Sequence, residues 1–310
     1  MKKAIILYHG GGELVNQLWN YMSIYAYTLE RGIELENYSF YEYGNYFNIP
    51  IKSKFARYAL YLPFKNYRGR KWGLRPRLWR LCYRAYARCI RKIYKNRVLS
   101  SQNKKNMPYY LPPSKEADDR LRTHEKNRKI YFDGWLFRNP AGLEKYKTEI
   151  KTYFHPNDEV SRTIALQINP LREKYLTVVG VHIRQGDYKT WKQGAYFIEQ
   201  ARVREIIEEY LGVFNGQKEN TIFIVTSDGP IDEEAFSDLN VIISRNNAVT
   251  DLFLLASTDT IIGSNSTFGA FASYYGNIPF IIMQRENMDW DYYRDKRGYF
   301  ENKYATMVHY

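Results

Sequence analysis

The sequence predicts an α/β protein of two Rossmann-like domains, and three observations lead there. The chain opens with an apolar strand, a glycine-rich turn and a helix. Its second half alternates short apolar runs with helical segments. At 310 residues it has room for two domains of ordinary size. Residues 1–172 are expected to form the first domain, with a basic helical insertion at about 52–105, and residues 173–310 the second.

In the first half, residues 4–8 read as a strand, residues 9–12 as a turn, and Leu14, Leu18, Tyr21, Tyr25 and Leu29 recur at helical spacing. The insertion is basic and aromatic. Arg77, Arg80, Arg84, Arg88, Arg91 and Lys95 lie three or four residues apart on one helical face, and Leu78, Cys82, Ala85, Cys89 and Ile93 form a neighbouring stripe. Residues 108–113 read as a loop, 128–135 as a strand ending at Asp133-Gly134, and 143–154 as a helix closed by Pro156.

The second half has apolar strands at 177–183, 221–226, 241–244, 260–263 and 279–283, with helices expected at 197–211, 232–236, 249–257 and 267–275. Such alternation implies a parallel sheet with right-handed crossovers.

Composition narrows the function classes. Between Glu42 and Glu116 there are 19 Lys and Arg and no acidic residue, which exceeds the net charge of +13 and leaves the remainder net acidic. The positive charge is regional and asks for an anionic partner. The apolar run after Lys2-Lys3 is too short for a secretory signal, and no run approaches the ~18 apolar residues of a membrane span. Cys82 and Cys89 lie about 10 Å apart along a helix, too far for a disulfide, so free thiols and a cytoplasmic location are expected. The 30 tyrosines supply packing surface and hydroxyls of the kind that line carbohydrate sites.

Chemistry concentrates where three strand ends of the second half converge: His182-Ile183-Arg184-Gln185-Gly186-Asp187-Tyr188, Ser227-Asp228-Gly229 and Ser264-Asn265-Ser266-Thr267. Ligands of open α/β sheets bind beyond the carboxyl ends of the strands. Arg184 offers a planar fork that meets two phosphate oxygens and never loses its charge. The helix starting after Ser264 offers backbone N–H groups and a positive dipole end.

Together these residues resemble the fucosyltransferase superfamily that holds the α-1,2-fucosyltransferases (glycosyltransferase family 11), the α-1,6 enzymes and the protein O-fucosyltransferases. His182 to Tyr188 is similar to H-x-R-R-G-D-Y, Ser264-Asn265-Ser266-Thr267-Phe268 to S-N-S-T-F, Gly12 to Leu18 to the G-G-L-G-N-Q loop, and Tyr131 to Trp135 to an aromatic G-Y-F-Q segment. The resemblance implies a GT-B fold, two Rossmann-like domains facing a central cleft. It implies inverting transfer from GDP-fucose to a glycan hydroxyl, with no metal or other cofactor and with an α-1,2 linkage in surface polysaccharide or glycolipid synthesis. It assigns Arg184 to the diphosphate, His182 to the nucleotide side, Ser266, Thr267 and Phe268 to the phosphates, Asp251 to guanine, and Asn16 to the reacting end. Ser227, Asp228, Ser264 and Asn265 complete the expected donor site. Glu13 is similar to the glutamate base of one O-fucosyltransferase class, with Asp133 and Asp187 as alternatives. Gln185, Val15 and Gly269-Ala270-Phe271 depart from the α-1,2 pattern.

Other readings compete. Asp289-Trp290-Asp291 has the form of a D-x-D metal ligand, and Gly10-Gly11-Gly12 invites a dinucleotide reading without the G-x-G-x-x-G spacing. The basic stripe Arg77 to Lys95 allows a nucleic-acid-binding module without activity. Alongside a transferase of GDP-fucose or, as the alternative, of another nucleotide sugar, it is instead expected to meet an anionic lipid surface on the inner membrane face, with no nucleic acid bound.

Overall fold

The computed structural model describes residues 2–7, 13–40, 42–49, 74–101, 108–111, 119–214 and 218–295. The expected turn at 9–12 and residues 52–73 and 102–105 of the insertion lie outside them. The chain divides into two units, one up to Asp158 and one from Glu159. This division falls before the expected 172/173 because the helix Asp158–Lys174 belongs with the second unit, where Arg172 bonds Asp259 and Gln167 exchanges hydrogen bonds with Asn246.

The first unit is a parallel sheet of order β2-β1-β5-β3, with β1 (Lys3–Ile6), β2 (Glu34–Asn37), β3 (Val98–Ser100) and β5 (Lys129–Asp133). A short parallel pair joins β4 (Tyr109–Tyr110) to β6 (Phe137–Arg138), so part of the expected loop at 108–113 is a strand. Helix α1 (Leu14–Glu30) is buried on nearly all sides. Its Asn20 donates to the Gly134 carbonyl and accepts from the Phe137 N–H, which fixes the bend after β5. Strand β2 escapes sequence reading because Glu34-Leu35-Glu36-Asn37 carries acids. Lys3 on the neighbouring β1 pairs with both glutamates.

Helix α2 (Leu74–Ile93) carries the basic stripe. The face that meets the sheet is aromatic: Tyr83 and Ala87 are buried, and Tyr86, Ile90 and Tyr94 pack against Ile5, Leu7, Tyr38 and Tyr131. The stripe of Cys82, Ala85, Cys89 and Ile93 therefore points away from the core. After α3 (Asp119–Glu125) and β5, the expected helix at 143–154 is two helices, α4 (Pro140–Lys145) and α5 (Lys147–Tyr153), broken at Tyr146.

The second unit starts with α6 (Asp158–Lys174), a helix hidden from sequence reading by Pro170 inside it. Its sheet is all parallel, of order β11-β10-β7-β8-β9, with β7 (Thr177–Ile183), β8 (Thr221–Ser227), β9 (Val241–Ile243), β10 (Thr260–Gly263) and β11 (Phe280–Ile282). Val179, Val181, Ile183, Phe223, Val225 and Ile262 bury β-branched and aromatic side chains under α7 (Gln200–Val213), as a sheet covered on its faces requires. Helices α8 (Ala248–Leu255), α9 (Thr267–Gly276) and α10 (Trp290–Asp295) follow, and the expected helix at 232–236 is a single 3-10 turn, Glu234–Phe236. Gly269 admits the Phe280 ring: a Cβ there would stand 2.6 Å from its Cζ.

Candidate functional site

Chain order fixes where the second unit can bind a ligand. From β7 the chain winds out through β8 and β9, then returns to the other side of β7 for β10 and β11. This is the Rossmann order, and the crevice lies where the winding reverses, beyond the ends of β7 and β10. The register sets Gly263 beside His182, so Arg184 and Ser264 emerge together. The Ser264 hydroxyl accepts from the Arg184 backbone N–H at 3.0 Å, and the Ser264 N–H donates to the His182 carbonyl.

The Arg184 guanidinium is held by two carboxylates. It lies 2.9 Å from Asp187 Oδ1 through Nη2 and 3.0 Å from Asp228 Oδ2 through Nη1. Asp228 is itself fixed, because its Oδ1 accepts from the backbone N–H groups of Gln185 (2.6 Å) and Gly186 (3.1 Å). Glycine at 186 permits this approach, since a Cβ would stand 2.5 Å from Asp228 Oδ2. The neighbouring Ser227 hydroxyl accepts from the Gly229 N–H. Asp187, expected among the catalytic groups, has its carboxylate engaged by Arg184.

Opposite, Ser266 is the N-cap residue of α9, yet its hydroxyl makes no capping bond and lies 3.4 Å from His182 Nδ1. The helix start is thus not closed by its own cap side chain, unlike α8, where Asn247 accepts from the Val249 and Thr250 N–H groups. Phe268 stacks on the His182 ring at 4.6 Å between centroids. Asn265 is fixed through its carbonyl, which accepts from the Tyr188 hydroxyl, and Thr267 is half-buried beside it. Asp251, in the first turn of α8, is buried and accepts from the Ser244 hydroxyl.

His182 is 3% exposed, and burial together with the Arg184 charge pushes its imidazole down to about 3, so the ring is neutral around pH 7. A depressed folded value means its contribution to stability is complete above the unfolded value of 6.5 and is lost as pH falls toward the folded one. Acidification from pH 6.5 to about 5 should cost about 2 kcal/mol through this group. Thermal melts of the wild type and His182→Asn across that range check this: the variant should show a shallower decline.

In the first unit, Glu13 is exposed at the N-cap position of α1 and makes no capping hydrogen bond, while Asn16 is half-buried one turn on. Asp133, at the end of β5, is buried and takes a bidentate pair from Arg91 at 2.6 and 2.7 Å. Sequence reasoning missed Glu42, hidden within an aromatic run. It is buried, accepts from Gln17 Nε2 at 3.3 Å, and its pKa is raised by burial, with the Glu13 charge adding to the rise.

Among the described residues no group of three or more His, Cys, Asp or Glu side chains is placed to hold a metal ion. Asp289 instead accepts from the Tyr292 N–H at the start of α10, and Asp291 pairs with Arg294.

Residues 128–302, more than half of the chain, match the model of glycosyl transferase family 11. No curated protein matches the sequence. Among solved structures, the fold is similar to that of a FUT1 mutant from Arabidopsis thaliana in complex with GDP, with a TM-score of 0.53, 14% identity, and coverage of 92% of this chain and 71% of that one. NodZ α-1,6-fucosyltransferase soaked with GDP-fucose has a TM-score of 0.50 at 15% identity, over 93% of this chain and 97% of its own. Fucosyltransferase NodZ from Bradyrhizobium in selenomethionine form matches to the same extent. At these identities the likeness is one of fold.

Proposed function

Since the chain belongs to glycosyl transferase family 11, and is therefore a glycosyltransferase, we propose that it moves fucose from GDP-fucose to a hydroxyl of a glycan acceptor. Family membership sets aside a nucleic-acid-binding module without activity, and the two Rossmann-like units are those of the expected GT-B type. The proposed transfer is inverting and metal-independent. It forms an α-1,2 linkage in a surface polysaccharide or glycolipid, and runs in the cytoplasm.

The observation that carries this reading is that the end of β7, bearing Arg184, and the turn 264–266 that opens α9 emerge side by side at the reversal of the second sheet. When the sugar leaves a nucleotide diphosphate, negative charge grows on the β-phosphate. Donors already fixed in place lower that barrier without reorganising. Arg184 supplies two charged N–H directions, and the N–H groups of Thr267 and Phe268 add the helix end. Neutral His182 and the Ser266 hydroxyl serve the nucleotide side, with Ser264 and Asn265 shaping the turn and Ser227 and Asp228 holding the facing loop. The buried Asp251 carboxylate suits guanine, whose edge presents two adjacent N–H donors to an acceptor-only group. Asn16 approaches the reacting end, and Glu13 takes the proton of the acceptor hydroxyl.

Calorimetric titration tests the donor. GDP should bind at least tenfold more tightly than UDP or CDP, a gap of about 1.4 kcal/mol, and Asp251→Asn should narrow it. Turnover of GDP-fucose should persist in excess chelator. Equal affinity for GDP and UDP would sink the assignment of the base, and a chelator-sensitive rate would sink the metal-independent mechanism.

A further inference from the structure

Helix α2 carries a surface that the reaction does not use. Its 20 residues span about 30 Å and show three faces. The aromatic face is bound to the sheet of the first unit, with the Tyr83 hydroxyl donating to the Ile6 carbonyl at 2.9 Å. A second, basic face holds Arg84 and Arg88, both exposed, with Lys92 beside them and Lys95 just past the helix end. A third face is apolar and open to water: Leu78 is 59% exposed, Leu81 61% and Ile93 69%, and Cys82, Ala85 and Cys89 between them are exposed. Leu78, Leu81 and Ile93 are three of the seven large apolar side chains that the described residues leave exposed, gathered on one helix.

The expected stripe of six cations is split by the fold. Arg91 is committed to Asp133, Arg80 is half-buried near Glu42, and the Arg77 side chain lies outside the described residues. What faces outward is an apolar ridge with a basic border.

We propose that α2 is an interfacial membrane helix that lies flat on an anionic phospholipid bilayer. Leu78, Leu81 and Ile93 enter the boundary of the acyl chains, and Arg84, Arg88, Lys92 and Lys95 meet the lipid phosphates. Charge complementarity selects this occupant. Between Glu42 and Glu116 the sequence has no acid to repel anionic headgroups, and an apolar ridge bordered by Arg and Lys is the form such helices take. A nucleic acid would use the basic border and leave the leucines in water. Because no described helix is long and apolar enough to cross a membrane, attachment here is lateral and reversible. The inference rests on this surface alone and holds or fails independently of the donor.

Flotation with vesicles of phosphatidylcholine alone, and of equal parts phosphatidylcholine and phosphatidylglycerol, tests it. The full chain should float with the mixed vesicles and stay behind with the neutral ones. The double variant Leu81→Ser with Ile93→Ser should lose at least tenfold in partitioning. Arg84→Gln with Arg88→Gln should lose about fivefold per residue. Both should keep the wild-type circular dichroism spectrum and GDP affinity. A thiol-directed, polarity-sensitive dye on Cys82 and Cys89 should brighten with mixed vesicles only. Equal recovery with neutral vesicles, wild-type partitioning of the leucine variant, or a dimer in gel filtration that this variant dissolves would each overturn the proposal.

Discussion

Arg184→Ala is expected to lower turnover of GDP-fucose about 10²–10³-fold, the effect of removing one fixed donor from a site of developing charge. The loss should appear in kcat and in GDP affinity together, because in the proposed role the guanidinium meets the phosphates before and during bond breaking. The fold should survive. The side chain is 24% exposed, and the carboxylates it leaves, Asp187 at 61% and Asp228 at 29%, can reach water. Arg184→Lys should recover only part of the rate, since an ammonium restores charge and not the planar fork. Steady-state kinetics, GDP calorimetry and a thermal melt decide it, and an alanine variant with wild-type turnover would remove Arg184 from the reaction.

Glu13→Gln should reduce kcat by about 10²–10⁴-fold, the range for loss of a positioned general base, with GDP affinity unchanged. The split follows from chain location: Glu13 belongs to the first unit, whereas the groups assigned to the diphosphate belong to the second. Glu13 makes no capping hydrogen bond at the start of α1. Glu42→Gln is the informative companion. Burial raises the Glu42 pKa, so its ionised form weakens the fold as pH rises through that raised value, and the neutral glutamine should hold stability level over the same range. If turnover collapses in the Glu42 variant and survives in the Glu13 variant, the base is Glu42.

The second half of the fold was legible because its residues state their surroundings. A β-branched run such as Thr177 to Ile183 has no polar face to show water, so it belongs between two helix layers. Residues 260–263 form a strand with the expected bounds, and α9 begins at Thr267 as expected. What sequence could not carry was partnership. The acids of β2 look like a solvated turn until Lys3 stands beside them, and Pro170 reads as a stop until α6 continues past it. The same holds for α2. Cysteine, alanine and isoleucine at helical spacing suggest a packed stripe, but three tyrosines at 83, 86 and 94 cover more apolar area and take the sheet. In the candidate site, motif spacing singled out Arg184, His182 and Ser266, which the fold brings near one another. The Arg-x-Gly-Asp spacing allows the Arg184–Asp187 pair, but it gave no sign that Asp228 completes the grip, since that contact joins the ends of β7 and β8 and depends on a missing methyl at Gly186.

Under the proposed donor assignment, that grip makes donor entry an exchange of counterions. Asp187 is the more exposed of the two partners, while Asp228 is pinned by two backbone amides. A lone chloride or free phosphate has little with which to evict a carboxylate already in residence. An incoming molecule succeeds only by bringing several anionic oxygens and a base at once, so occupancy of the crevice should respond weakly to simple salts and sharply to nucleotides.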